Sequence, residues 1–211
     1  TSAPVLPYDK NSRIVIMSDC HRGQGNGADN FLPNSPIFQG ALEYYYENGF
    51  TYIELGDGDE LWENRCIHTI IRTYSHIFRL MNRFYQDNRL YMIYGNHDIV
   101  KKRKFFHIKL YKLFLDVTEP EDYFYKDLKI TEGIILENKD TLQRILLIHG
   151  HQGSLLNDEL WPLGRFLVRY VWKPLETIGF RAPTGSGRSV KLVEKIEKKC
   201  VPIPGKLTEL S

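Results

Sequence analysis

Four short apolar runs constrain this chain more than any other feature, because each stops at a cluster of carboxylates, imidazoles or amides. RIVIMS (13–18) runs into Asp19-Cys20-His21, and FTYIEL (50–55) into Gly56-Asp57-Gly58-Asp59-Glu60. RLYMIY (89–94) runs into Gly95-Asn96-His97-Asp98, and RILLI (144–148) into His149-Gly150-His151. The runs are five or six residues long, rich in β-branched and aromatic types, and lack a helical period, so they read as buried strands. Segments 37–48 and 61–87 carry three–four apolar spacing and read as helices between them. The stripe Ile37, Phe38, Leu42, Tyr45 and Tyr46 defines the core face of the first. The order strand–helix–strand–helix–strand predicts crossover units in a layered α/β protein. In such folds ligands bind beyond the carboxyl ends of the strands, so the four clusters converge on one crevice.

The rest of the chain is less regular. Residues 1–12 carry Pro4 and Pro7 without periodicity and read as an extended lead-in; 22–36, rich in Gly, Asn and Pro, reads as a loop. Further strands are expected at 110–117, 130–137 and 144–148. A Trp- and Tyr-rich helical insertion spans 154–179, a loop 181–189 and a basic helix 190–200. The length of 211 residues suits a single domain, 1–211, with the insertion as a cap or lid. No run of 18 apolar residues is present, so no membrane-spanning helix is predicted. Three cysteines (Cys20, Cys66, Cys200) form neither a disulfide framework nor a zinc-finger pattern, and a reducing, cytoplasmic setting is expected. Cys20 reads as a core residue, since no base is placed to activate it.

Net charge is +2, from 28 Lys and Arg against 26 Asp and Glu, which supports no broad duplex footprint, so nucleic acid is not an expected partner. The run Lys101–Lys104 reads as a solvated surface, with a phosphate-rich substrate or an anionic membrane surface as the sharper alternative. His68 and His76 read as ordinary helix residues.

Carboxylate, imidazole and amide oxygen together suit borderline divalent ions such as Mn²⁺, Zn²⁺ or Fe. A bridging carboxylate can hold two such ions about 4 Å apart, where the pair activates water and clamps a phosphoryl oxygen. Asp-x-His (Asp19, His21), Gly-Asp-x-x-Glu (Gly56 to Glu60) and Gly-Asn-His-Asp (Gly95 to Asp98), in that order, resemble the motifs of the calcineurin-like metallophosphoesterases. The resemblance covers residues 13 to about 151 and implies a layered α/β/β/α fold. It implies hydrolysis of a phosphoester or pyrophosphate bond by a hydroxide activated between two divalent metal ions (Mn²⁺, Zn²⁺ or Fe). Within the family, the form Leu-Gly-Asp-x-x-Glu-x-Trp (Leu55 to Trp62) is similar to the branch containing UDP-2,3-diacylglucosamine hydrolases, although that branch usually has Arg where this chain has His97.

Carried over residue by residue, the resemblance makes Asp19 and His21 ligands of one metal and Asp57 the bridging carboxylate. Asn96 and His149 become ligands of the second metal. His97 becomes the histidine that assists the transition state or protonates the leaving group, Asp98 the acid that orients it, and Glu60 an acid behind the ligands. The family's final Gly-His-x-His is absent: Gly150-His151-Gln152-Gly153 begins it without completing it. Two alignments follow. Either His149 is the mid-chain ligand and the last lobe is missing, leaving an incomplete second sheet, or His151 opens a degenerate motif and His107 replaces His149. The first is favoured. The expected partner is a small phosphorylated substrate, nucleotide-linked or lipid-linked. A homodimer and peripheral membrane contact are further expectations, and a scaffold module without turnover is the alternative function.

Overall fold

The computed structural model describes residues 3–102 and 128–151, with 162, 165–166 and 168–172 beyond them. Two sheets form its centre. The first runs in the order β2 (Ile14–Met17), β3 (Thr51–Leu55), β4 (Leu90–Ile93), β5 (Ile130–Thr131), all parallel. The second is β1 (Val5–Tyr8) parallel to β6 (Gly133–Asn138), with β7 (Arg144–Ile148) antiparallel to β6. The helices α1 (Ser35–Glu47), α2 (Ile67–Thr73) and α3 (Ser75–Gln86) cover the first sheet.

Alternation along β3 separates two cores. Tyr52 packs with Leu42, Ile70, Ile77, Met81 and Phe84 under the helices, whereas Ile53 packs with Ile93, Ile134 and Leu136 between the sheets. This is the expected mixed α/β architecture of two packed sheets flanked by helices. The second sheet is open on its outer side, with Ile145, Leu146 and Ile148 of β7 exposed.

Several expectations are corrected. The lead-in 1–12 contains β1, whose backbone pairs Val5 to Tyr8 with Ile135 to Asn138; no local pattern announces a strand that exists only through a partner 130 residues away. The expected strand 130–137 is two strands in different sheets, and the chain changes sheet at Glu132. The expected helix 61–87 begins only at Ile67 and breaks at Tyr74, whose φ of −111° and ψ of 34° leave the helical region. Just before the break, the Thr73 hydroxyl donates to the Thr69 carbonyl at 2.9 Å, a back-bond of the kind that bends helices. Ile37 is 75% exposed and lies off the core face of α1, which Leu42 anchors instead. Lys101 is only 2% exposed and is no part of a solvated run. The expected strand 110–117, the loop 181–189, the helix 190–200 and His107 lie outside the described residues. Of the insertion 154–179, Pro162, Arg165, Phe166 and one π-type turn, Val168–Trp172, are described. No helix among the described residues is long and apolar enough to cross a membrane.

Candidate metal centre

Strand register brings the polar clusters to one rim. Met17 stands opposite Glu54, and Leu55 opposite Ile93, so the loops after β2, β3 and β4 leave the sheet side by side. Gly133 pairs with Ile148, so β7 ends where β6 begins and delivers His149 to the same rim. The loops after β2 and β3 are zipped by backbone hydrogen bonds: Asp19 N–H to Gly56 O, His21 N–H to Asp57 O, Arg22 N–H to Gly58 O, and Glu60 N–H to Arg22 O.

Three of the expected ligands sit in the left-handed region: Asp19 at φ 56°, His21 at 49° and Asp57 at 51°. Such conformations cost of order 1–3 kcal/mol each and persist only where the surroundings over-determine them. Two glycines permit the close approach. A Cβ on Gly95 would lie 2.1 Å from Asp57 Oδ1, and one on Gly56 would lie 2.7 Å from the His149 ring.

Asp57, 3% exposed, is the hub. Its Oδ2 lies 3.1 Å from His149 Nε2 and 3.8 Å from His21 Nε2, and its Oδ1 accepts the His97 backbone N–H at 2.8 Å. His21 Nε2 is also 3.8 Å from Asp19 Oδ1, on the exposed side. His149 Nδ1 donates to the Leu55 carbonyl at 2.9 Å, which turns Nε2 toward Asp57. Asn96 is buried between Gly95 and His97. His151 is buried beside His149, ring centroids 5.6 Å apart, but its nitrogens are not among the donor atoms that converge.

Glu60 links two imidazoles. Its Oε2 receives His21 Nδ1 at 2.8 Å and His97 Nδ1 at 2.7 Å, while Oε1 receives the N–H groups of Trp62 and Glu63. The His97 ring is further clamped by Trp62, stacked at 4.3 Å and 18°, and by the edge contact with His21 at 4.6 Å. The expectation that Asp98 orients His97 is therefore corrected: Glu60 holds that ring. Asp98 is wholly buried and accepts the backbone N–H of Gly95 at 2.7 Å and of Gly58 at 3.2 Å, bracing two loops.

Below the rim lies a buried charge network that sequence reasoning missed. Arg22 grips Glu54 with two nitrogens at 2.7 and 3.0 Å and Asp59 at 2.8 Å. Lys101 Nζ lies 2.6 Å from Asp98, 2.7 Å from Asp59 and 3.7 Å from Glu54. Glu54, Asp59 and Asp98 thus form a carboxylate cluster of metal-site dimensions whose cations are Lys101 and Arg22. On the other flank, Arg169 reaches the carbonyls of Leu61 at 3.0 Å and Asn64 at 3.3 Å, tying the described turn to the loop that carries Glu60.

The electrostatics of the rim ask for a cation. Burial alone raises a carboxyl pKa, yet the hydrogen bond from His149 and the nearby His97, His149 and His21 hold Asp57 below its ordinary value. Burial likewise opposes ionisation of Glu60, but His21 and His97 bring it down to about 2. The hydrogen bond to Asp57 lifts His149 to about 9. Burial works against protonation of His21, but Glu60, Asp57 and Asp19 outweigh it and raise its pKa. Burial pushes the Cys20 thiol to about 12, which removes it as a nucleophile. Imidazolium protons balance the carboxylates in the metal-free chain, and a divalent ion can replace them. Two triads fit that role by distance: Asp19, Asp57 and His149, and His21, Glu60 and His97, each with donor atoms within 4.8 Å of one another. Oxygen and imidazole donors of this kind suit borderline divalent metals.

The sequence pattern of the calcineurin-like phosphoesterases (Metallophos) matches residues 12–197. The chain belongs to the calcineurin-like phosphoesterase family. Comparison with curated proteins and with solved structures yields no match. As a calcineurin-like phosphoesterase with clustered His, Asp and Glu ligand groups at its strand ends, it is a metal-dependent phosphoester hydrolase.

Proposed function

We propose that this calcineurin-like phosphoesterase cleaves a phosphoester or pyrophosphate bond in a small phosphorylated substrate, at a pair of divalent ions held through Asp57. The observation that carries the reading is the shared Oδ2 of Asp57, within 3.1 Å of His149 Nε2 and 3.8 Å of His21 Nε2. In this reading Asp19, His21 and Asp57 hold one ion, and Asp57, Asn96 and His149 the other, which regroups the two distance triads around Asp57 and leaves Glu60 and His97 outside the ligand sets. Mn²⁺, Zn²⁺ or Fe suits the donors. When bound, such ions supply Lewis acidity, a nucleophile at neutral pH and neutralisation of the phosphoryl oxygens.

The chain's own groups do the rest. Glu60 occupies Nδ1 of His97, so Nε2 is the nitrogen that meets the substrate and hands a proton to the leaving oxygen. Trp62 and His21 fix the plane of that ring, which keeps the proton donor oriented without a search of rotamers. Asp98 and Lys101 act at a distance by holding the Gly58 and Gly95 backbones against which Asp57 rests.

The closer likeness to UDP-2,3-diacylglucosamine hydrolases rests on the form Leu55 to Trp62 alone, with His97 standing where that branch usually has Arg. A nucleotide-linked or lipid-linked pyrophosphate is accordingly the substrate class to test beside simple esters. A homodimer, peripheral membrane contact and a cytoplasmic setting belong to the same proposal, with β7's exposed apolar residues as the surface that would be covered. The test is hydrolysis of bis-p-nitrophenyl phosphate with Mn²⁺, comparing wild type with Asp57→Asn. Loss of two or more orders of magnitude in the variant is expected. Equal rates would refute the reading.

A further inference from the structure

A cavity of about 1010 Å³ opens from the metal rim and runs away from it, between the loop after β2 and the first turns of α1. Its inner end is Asp19, His21, Glu60 and His97. This volume matches sites that hold whole small molecules and far exceeds the space a phosphoryl group needs. The walls beyond the rim have a distinct chemistry. The lining mixes the carboxamides Gln24, Asn30 and Asn34 with the apolar surfaces of Ala28, Phe31, Phe38 and Ala41, while the amides of Asn26 and Asn64 already bond the Ala28 N–H and the Glu60 carbonyl. Among the described residues that line it there is no lysine or arginine, and Asp29 and Glu63 bring negative charge. An additional phosphate or carboxylate would find no countercharge among those residues. A purely aliphatic chain would strand the amides against hydrocarbon, at a cost of order 1–3 kcal/mol for each group left without a partner.

The wall is built, not incidental. Asp29, 7% exposed, accepts the Gly25 N–H at 2.7 Å and the Tyr74 hydroxyl at 2.5 Å on Oδ2, and the Phe31 N–H at 3.0 Å on Oδ1. Phe31 in turn meets Tyr74 and Phe38 edge to face, at centroid distances of 5.1 and 5.2 Å. One carboxylate therefore fixes both ends of the amide-bearing loop and ties it to the helical break at Tyr74.

Resting on the hydrolase reading above, we infer that this cavity binds the organic half of the substrate, and that this half is uncharged, with a flat apolar face and hydroxyl or amide groups, as in a nucleoside or a glycosyl unit. Asp29 is the positioning residue of that subsite.

The experiment compares three esters that share one leaving group, with the full chain and Mn²⁺: ethyl p-nitrophenyl phosphate, thymidine 5′-(p-nitrophenyl phosphate), and the latter bearing a 3′-phosphate. The expected result is a kcat/KM about tenfold or more higher for the thymidine ester than for the ethyl ester, expressed mainly in KM, and loss of that gain on adding the 3′-phosphate. Asp29→Asn should raise KM for the thymidine ester about tenfold, well beyond its effect on kcat. Where Asp29→Asn does not fold, Ala41→Trp, which fills the cavity from α1, should give the same collapse of preference. Equal kcat/KM for the ethyl and thymidine esters, or a preference for the 3′-phosphorylated ester, overturns the inference while leaving the hydrolase reading intact. Absence of turnover on all three esters overturns the hydrolase reading itself.

Discussion

Adding a single methyl group at position 95 should disable the metal centre. A Cβ on Gly95 would sit 2.1 Å from Asp57 Oδ1, 2.7 Å from Asp57 Cγ and 2.7 Å from the Asp57 backbone nitrogen. Rotation of the Asp57 side chain relieves the first two contacts but not the third, so backbone must move as well. Asp57 cannot yield easily, because its carbonyl accepts His21 N–H at 2.9 Å and its Oδ1 accepts His97 N–H at 2.8 Å. Overpacking of this kind costs about 1–3 kcal/mol in stability. A displacement of about 1 Å at the bridging carboxylate costs about 100-fold in rate. Gly95→Ala should therefore bind Mn²⁺ at least tenfold more weakly by titration calorimetry and lose about 100-fold in kcat/KM on bis-p-nitrophenyl phosphate. Gly40→Ala is the matched control: nothing lies within 4 Å of its added Cβ, in the interior of α1, and it should gain about 0.5–1 kcal/mol with activity unchanged. Retention of metal affinity and rate within twofold in Gly95→Ala would refute the steric reasoning.

Glu60→Gln should lower kcat about 100-fold with KM little changed, because the amide has one acceptor oxygen where the carboxylate has two: with that oxygen toward His21 and His97 its NH2 group faces the Trp62 and Glu63 N–H donors, and the anchoring charge is lost; a wild-type kcat would show that Glu60 does not orient His97. Lys101→Met leaves Asp98 without its buried cation and Asp59 with Arg22 alone, and should cost about 3–5 kcal/mol, read as a fall in Tm of about 10 °C. The pH dependence follows from His149. Its folded value of about 9 lies above the unfolded value, so in EDTA its contribution to stability is full below about pH 6.5 and fades as pH rises through 9. Because a metal ligand must be deprotonated, Mn²⁺ affinity should instead rise about 50-fold between pH 7 and 9, with proton release on binding measured in buffers of different ionisation enthalpy. His149→Ala should flatten both profiles.

Much of this protein is legible without coordinates, for a specific reason. Strands of a parallel sheet buried on both faces show as short apolar runs, and the residues just beyond their carboxyl ends must be polar because the chain leaves the core there. RIVIMS, FTYIEL and RLYMIY therefore identify Asp19, His21, Asp57 and His97 by position alone, the antiparallel and partly exposed run RILLI adds His149, and register places them on one rim. What stays hidden is pairing between distant residues. Asp98 follows His97 in the chain and suggests an orienting acid, yet successive side chains diverge, and Glu60, 37 residues earlier, reaches the ring instead. Lys101 begins a run of cations that looks solvated. Only tertiary structure gathers Glu54 and Asp59 from the end of β3 with Asp98 from the loop after β4 and makes burial of an ammonium group favourable. β1 and the sheet change at Glu132 carry no local signal, since a strand of four residues is stable only through its neighbour. The hydrogen bond from Tyr74 to Asp29, 45 positions apart, belongs to the same class. Residue types and strand ends determined the chemistry. The fold decided which carboxylate meets which nitrogen, because that depends on packing distances that no local pattern in the chain encodes.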